Sequence, residues 1–231
     1  MPIQQLNRKN NFLYLLLSLL AMLFAGAISD EFPEGAGNDL FSLVLIFSLI
    51  VGIKSLHLNV GYKRIVYTLA AALGVITLLW RFSPCSWSAL LILLMMLFAF
   101  ISAFKLTVRQ ILFEGRVDAN KIIGSLSLYL LIGLIWTLFY LIILIFDPTA
   151  FKGIEFHDWR TIFSQMAYYS FVTLTTLGYG DISPRNHIAE FVVYMEAVVG
   201  VFYMAIFVSS LISLTDTKRE KTPIEEETSH E

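Results

Sequence analysis

Late in the chain, Thr175-Thr176-Leu177-Gly178-Tyr179-Gly180-Asp181 sets two glycines, a tyrosine, two threonines and a carboxylate between long apolar runs. The surroundings put this loop at membrane depth, where non-helical backbone persists only if it is buried in protein or lines a wet cavity. Gly178 and Gly180 can take positive φ without Cβ strain, and alternating them with Leu177 and Tyr179 lets successive carbonyls point the same way. The chemistry on offer is that of main-chain oxygens. An enzyme is not expected, because no nucleophile and base pair or metal cluster accompanies the loop. His57, His157, His187 and His230 are scattered without ligand spacing, and the single cysteine, Cys85, cannot form an intrachain disulfide.

Stepping outward from the loop, the composition is that of an integral membrane protein. Hydrophobic residues make up 57% of the 231, only 15% are charged, and the mean hydropathy is +0.73, whereas soluble domains carry about 25% charge. The net charge of −2 gives no sign of a nucleic-acid partner, since the basic residues sit at the ends of apolar runs. A helix needs roughly 20 apolar residues to cross the hydrocarbon. Six runs qualify: Phe12 to Ile28, Leu40 to Leu56, Ile65 to Trp80, Trp87 to Phe104, Ile122 to Phe146 and Ala189 to Leu214. The segment from His157 to Thr175 is too short and too polar at its start to be a seventh, and is expected as a re-entrant helix.

Cytoplasmic loops are enriched in Lys and Arg, and this sets the orientation. Arg8, Lys9, Lys54, Lys63, Arg64, Lys105, Arg109, Arg116, Lys121, Lys218, Arg219 and Lys221 fall on one side of the six spans; only Arg81, Lys152, Arg160 and Arg185 fall on the other. Both termini are therefore expected in the cytoplasm, with the acidic loop Asp30, Glu31, Glu34, Asp39 and the 175–181 loop facing outward. The basic start and Ala25-Gly26-Ala27 also fit a cleaved signal peptide; a retained first span is favoured, because its apolar stretch is long for a signal. Lys105 to Lys121 mixes charges with Val108, Ile111 and Leu112 in one helical stripe, which suggests an interfacial helix along the inner membrane surface. Asp118 is a candidate cap for the fifth span. The tail after Leu214 is short and charged, so no cytoplasmic ligand-binding domain is expected.

Thr176-Leu177-Gly178-Tyr179-Gly180-Asp181 resembles the selectivity filter of potassium channels, usually TVGYGD. The order of span, outer loop, short helix from about Asp158 to Val172, filter and final span is also that of the family. The specific resemblance covers Ile122 to Leu214; the first four spans match only a general six-span plan. It implies that Thr176 contributes a hydroxyl and a carbonyl, and that Leu177, Gly178 and Tyr179 contribute carbonyls, together bounding K⁺ positions. In such channels, rings of carbonyls from four chains replace the ion's hydration shell. Leu177 and Tyr179 side chains would point back into the pore helix, Gly180 would complete the filter, and Thr175, Asp181 and Val172 would support it. Tyr168 and Tyr169 stand where many channels have a tryptophan pair; they either brace Tyr179 or Asp181 or are ordinary interfacial aromatics.

Two departures matter. Leu177 replaces a stiff β-branched valine, and Val172 stands where some members carry a glutamate that pairs with the aspartate after the filter, so that pair cannot form here. Gly200, twenty residues after Gly180, lies where many members have a hinge glycine in the inner helix. Glu196, one turn earlier, is an ionisable residue at membrane depth; it holds the inner helix against the pore helix, senses protons, or is a hydrogen-bonded packing residue. Met204, Val208 and Ile212 recur at helical spacing, and line an inner cavity that closes by dewetting or pack on the fifth span.

The resulting expectation is an all-α membrane protein of six transmembrane helices plus a re-entrant pore helix and filter loop, assembled as a homotetramer. Its parts are an N-terminus 1–11, a voltage-sensor-like bundle 12–104 without sensor charges, a linker helix 105–121, a pore domain 122–214 and a tail 215–231. The pore domain divides into outer helix 122–146, pore helix 158–172, filter 175–181 and inner helix 189–214. The expected function is passive K⁺ conduction, weakly or not voltage-dependent, in a cell (inner) membrane. K⁺ is the permeant ion, with no cofactor; lipid and three identical chains are the partners. The alternatives are a poorly selective cation pore and a non-conducting sensor or scaffold subunit.

Overall fold

The computed structural model describes residues 11–29, 31, 36–55, 68, 71–72, 74–76, 86–113 and 119–219. They form α1 (Asn11–Ser29), α2 (Ala36–Ser55), α3 (Ser86–Phe113), α4 (Ala119–Phe146), β1 (Phe151–Lys152), α5 (Trp159–Leu174), β2 (Ser183–Pro184) and α6 (His187–Arg219). Helices dominate because an apolar segment in lipid must satisfy its own backbone polar groups. Among the described residues, four helices are long and apolar enough to cross a membrane: Phe12–Ser29, Trp87–Ile111, Asn120–Phe146 and His187–Phe207. The apolar part of α2, Asp39–Gly52, is shorter. Most of the third expected span, Ile65 to Trp80, lies outside the described residues, as do Arg116 and Asp118. The helix begun at Ser86 continues unbroken past Lys105 to Phe113, so the amphipathic stretch starts as the last turns of α3.

Each helix shows its neighbours one stripe. On α1, Leu15, Leu19 and Met22 are buried while Tyr14, Leu17 and Phe24 are exposed; on α3, Ile92, Leu93, Met96 and Phe100 are buried while Leu91, Leu94 and Phe98 are exposed. These are the i, i+3, i+4, i+7 positions of one helical face. Lipid tails are as apolar as leucine, so the driving force between such faces is close packing rather than escape from water. Hydroxyls within the helices return to the preceding turn, as Thr137 does to the Gly133 carbonyl at 2.8 Å.

The first helix packs against α2, α4 and α5. Behind α5, the Phe41 ring of α2 lies 4.8 Å from Phe163 and 6.3 Å from Trp159, so α1 and α2 form the backing of the short helix. At the opposite end of α5's surroundings, β1 and β2 pair antiparallel with Phe151 opposite Pro184 and Lys152 opposite Ser183. The Arg185 amide adds a 2.7 Å bond to the Ala150 carbonyl. This small ladder joins the end of α4 to the start of α6 and frames α5 and the loop after it.

Candidate ion-conducting site

The short helix α5 has a defined start. Asp158 sits in extended conformation (φ −140°, ψ 141°) and its side chain accepts the Arg160 amide at 3.4 Å, satisfying one of the donors that a helix leaves open at its N-terminus. Trp159, Ile162, Phe163 and Met166 are buried and anchor the helix between the flanking spans. It ends at Leu174, where Thr175 returns its amide to the Phe171 carbonyl at 3.0 Å and its hydroxyl to the same oxygen at 2.6 Å.

Beyond that end the backbone alternates. Thr176, Gly178 and Gly180 have φ of 60°, 57° and 80°, and Thr176 is the one non-glycine with positive φ among the described residues. The sequence pointed to the two glycines but not to Thr176. A β-branched residue in this region is held at a cost of about 1–3 kcal/mol, found where the surroundings over-determine it. The Val172 carbonyl takes the amides of Leu177 at 2.9 Å and Gly178 at 3.4 Å, and the Thr173 carbonyl takes that of Thr176 at 2.9 Å. The loop's first amides are thus consumed by the last turn of α5. The carbonyls of Thr176, Leu177, Gly178 and Tyr179 accept no backbone hydrogen bond among the described residues.

Leu177 is 56% and Tyr179 67% exposed. In the single chain neither side chain is buried behind the loop, where the resemblance would place it. Tyr168 and Tyr169, adjacent on α5, diverge. Tyr168 donates its hydroxyl to Asp181 at 2.8 Å, and that bond holds the Asp181 carboxyl below the usual carboxylate range. Tyr169 turns the other way, its ring 5.2 Å from Tyr140 and 5.6 Å from Phe151. Val172 is buried, and the partner of Asp181 is the Tyr168 hydroxyl in place of a second carboxyl.

On α6, Glu196 has no exposed surface. Its carboxyl lies 2.5 Å from the Ser170 hydroxyl of α5 and accepts the Tyr140 hydroxyl of α4. Gly200 sits at a close approach: a Cβ there would run into the Leu174 carbonyl, so this glycine has a packing reason in a helix that continues through it. Met204 is exposed at 45%, while the side chains of Val208 and Ile212 lie outside the described residues. Ser170, Tyr140 and Gly133 were missed by sequence reasoning. Their signal is a hydroxyl or a glycine isolated in an apolar run, the kind of residue that packs or hydrogen-bonds between helices in membranes.

Residues 128–216 match a family model described as Ion channel. The match begins within α4, contains α5 and the 175–181 loop, and ends within α6, so this part of the chain is similar to an ion channel domain. No curated protein and no solved structure matches the chain.

Proposed function

We propose that four copies of this chain enclose a K⁺-selective pore that conducts passively across a cell (inner) membrane. The observation that carries this is the alternation at Thr176, Gly178 and Gly180, together with loop carbonyls that no backbone amide among the described residues claims. Left-handed residues at every second position let successive carbonyls fall on one side, where oxygens can stand in for an ion's hydration shell. One loop per chain cannot surround an ion, and cyclic symmetry closes the ring. The exposed Leu177 and Tyr179 then rest on neighbouring copies, which set the ring's diameter. The C-terminal end of α5, adjoining the loop, carries partial negative charge, and four such ends favour a cation at the centre. The Lys and Arg distribution puts both termini in the cytoplasm and the loop on the outer side. Lipid and three further chains are the partners; K⁺ is cargo, and no cofactor takes part.

A looser cation pore is the second reading, favoured by one observation. Leu177 is unbranched at Cβ and exposed, so the ring is held by a more mobile side chain than valine. Purified protein in liposomes, loaded with K⁺ and assayed for Rb⁺ and Na⁺ uptake, separates the readings. Rb⁺ uptake far above Na⁺ uptake is the expected result. Equal uptake supports the looser pore, and absence of flux from a verified tetramer supports a non-conducting subunit.

A further inference from the structure

We propose that Glu196 is a positioning residue for the conduction loop, acting as a neutral carboxylic acid that ties α6 to the helix presenting the loop. The inference rests on the channel reading above for its consequence, but its geometry stands on the fold alone.

Three helices meet at this side chain. Its Oε1 lies 2.5 Å from Ser170 Oγ on α5, and its Oε2 takes the Tyr140 hydroxyl of α4. Ser170 Oγ also lies 2.7 Å from the Gly133 carbonyl of α4. A serine hydroxyl carries one proton, yet both of its contacts are oxygen to oxygen at hydrogen-bonding distance, and the Gly133 carbonyl has no proton to give. A carboxylate at Glu196 has none either. With an ionised Glu196, one of the two contacts would set lone pairs against lone pairs. With a carboxylic acid the count closes: Glu196 donates to Ser170, Ser170 donates to Gly133, and Tyr140 donates to the remaining oxygen. The titratable groups facing Glu196 are Tyr140 and Tyr129 from α4 and Tyr169 from α5; no cation among the described residues compensates it. A buried carboxylate without a partner charge is strongly disfavoured.

The placement gives the bond its purpose. Glu196 and Gly200 lie one turn apart on α6, and they meet Ser170 and Leu174, likewise one turn apart on α5. Between those two anchors lies Val172, whose carbonyl holds the Leu177 and Gly178 amides. The acid therefore fixes the height of the turn from which the loop hangs. Losing its proton removes the hydrogen from one Ser170 contact and frees that turn to shift.

Two measurements test this on the full-length protein. In detergent, infrared spectra of the wild type at neutral pH are expected to show a protonated-carboxyl C=O band that disappears in Glu196→Gln. In liposomes, the ratio of Rb⁺ to Na⁺ uptake of the wild type is expected to fall as pH is raised from mildly acidic to alkaline. Glu196→Gln keeps an N–H for Ser170 and a C=O for Tyr140; it should retain the ratio and lose the pH dependence, whereas Glu196→Ala should lower it about tenfold, the scale of one buried hydrogen bond. Should Glu196→Ala fail to assemble, Ser170→Ala and the infrared band still decide. No such band, or a tetrameric Glu196→Ala or Ser170→Ala protein with wild-type ratio and pH profile, overturns the inference while leaving the channel reading intact. A wild type without Rb⁺ flux instead overturns that reading, and the role in conduction with it.

Discussion

Tyr168 donates its hydroxyl to the Asp181 carboxylate across 2.8 Å, joining the middle of α5 to the far end of the loop that starts at its C-terminus. The loop is thus held at both ends by one helix, through the Val172 carbonyl at its start and Tyr168 at its finish. Removing only the hydroxyl, in Tyr168→Phe, keeps the ring and loses the brace. Rb⁺ uptake through the proposed pore should become several-fold less selective over Na⁺, or decay faster, while the oligomeric state is unchanged. Unchanged selectivity and time course would show that the bond is incidental.

At Gly133, α4 leaves no room for a side chain against α5, since a Cβ there would lie 2.6 Å from Cε1 of the Phe171 ring. The ring must move if anything larger than hydrogen is placed opposite it. Gly133→Ala is expected to destabilise the fold by about 1–3 kcal/mol, the usual cost of overpacking. A flexible side chain at the partner position should recover part of that loss, because contacting sites are not additive. Thermal melts of Gly133→Ala and of its combination with Phe171→Leu check this; a double variant no better than the single one would place the strain elsewhere.

Beside the β1–β2 ladder, Asp147 ties the end of α4 to the start of α6. It accepts the Thr149 hydroxyl at 2.7 Å, the Thr149 amide at 3.0 Å and the Asn186 amide group at 2.8 Å. Asn186 in turn accepts the Ala189 amide at 2.8 Å in the first turn of α6. These bonds, the Thr149 hydroxyl foremost and Asn186 next, hold the Asp147 carboxyl below its ordinary range. A carboxyl whose folded-state pKa is depressed adds stability above its unfolded-state pKa, and that stability is lost as pH falls through the folded value. The melting temperature should therefore drop slightly on acidification, and the drop should shrink in Asp147→Asn. An identical acid profile for the two proteins would assign the loss to other carboxylates.

The loop and the short helix before it could be anticipated because their causes are local. Glycines that permit positive φ and long apolar stretches act within a few residues. Thr176 escaped because nothing in a threonine announces a left-handed backbone; the helix end before it and Gly178 after it impose one. The divergence of Tyr168 and Tyr169 was equally hidden, since it depends on Tyr140 and Phe151, which approach from α4 and β1. Glu196 stood out as a charge in lipid, yet its partners lie on two other helices and emerge only from their register. Gly200 shows the same limit: its spacing from Gly180 suggested a hinge, and only the fold reveals the Leu174 carbonyl beside it.

The same separation of local from distant causes bears on voltage. Moving one elementary charge through the membrane field yields about 2.3 kcal/mol per 100 mV, so steep gating needs several charges that travel inside the membrane. In α3 no charged residue stands between Trp87 and Phe104. Lys105 and Arg109 follow only beyond the uncharged stretch, and both are exposed. Two charges confined to the last turns of the span are too few for steep gating. The packing adds a second reason: the buried stripe of Ile92, Leu93, Met96 and Phe100 fixes α3 against its neighbours, and sliding it by a turn would unseat large side chains all along that face. Open probability in symmetrical K⁺ should consequently be nearly flat across the physiological voltage range. Substituting Leu94 and Phe98, on the exposed face of α3, by arginine should not by itself create steep gating, because the helix would still be pinned. A sigmoid conductance–voltage relation in the wild type would contradict both steps, the charge count and the fixed stripe.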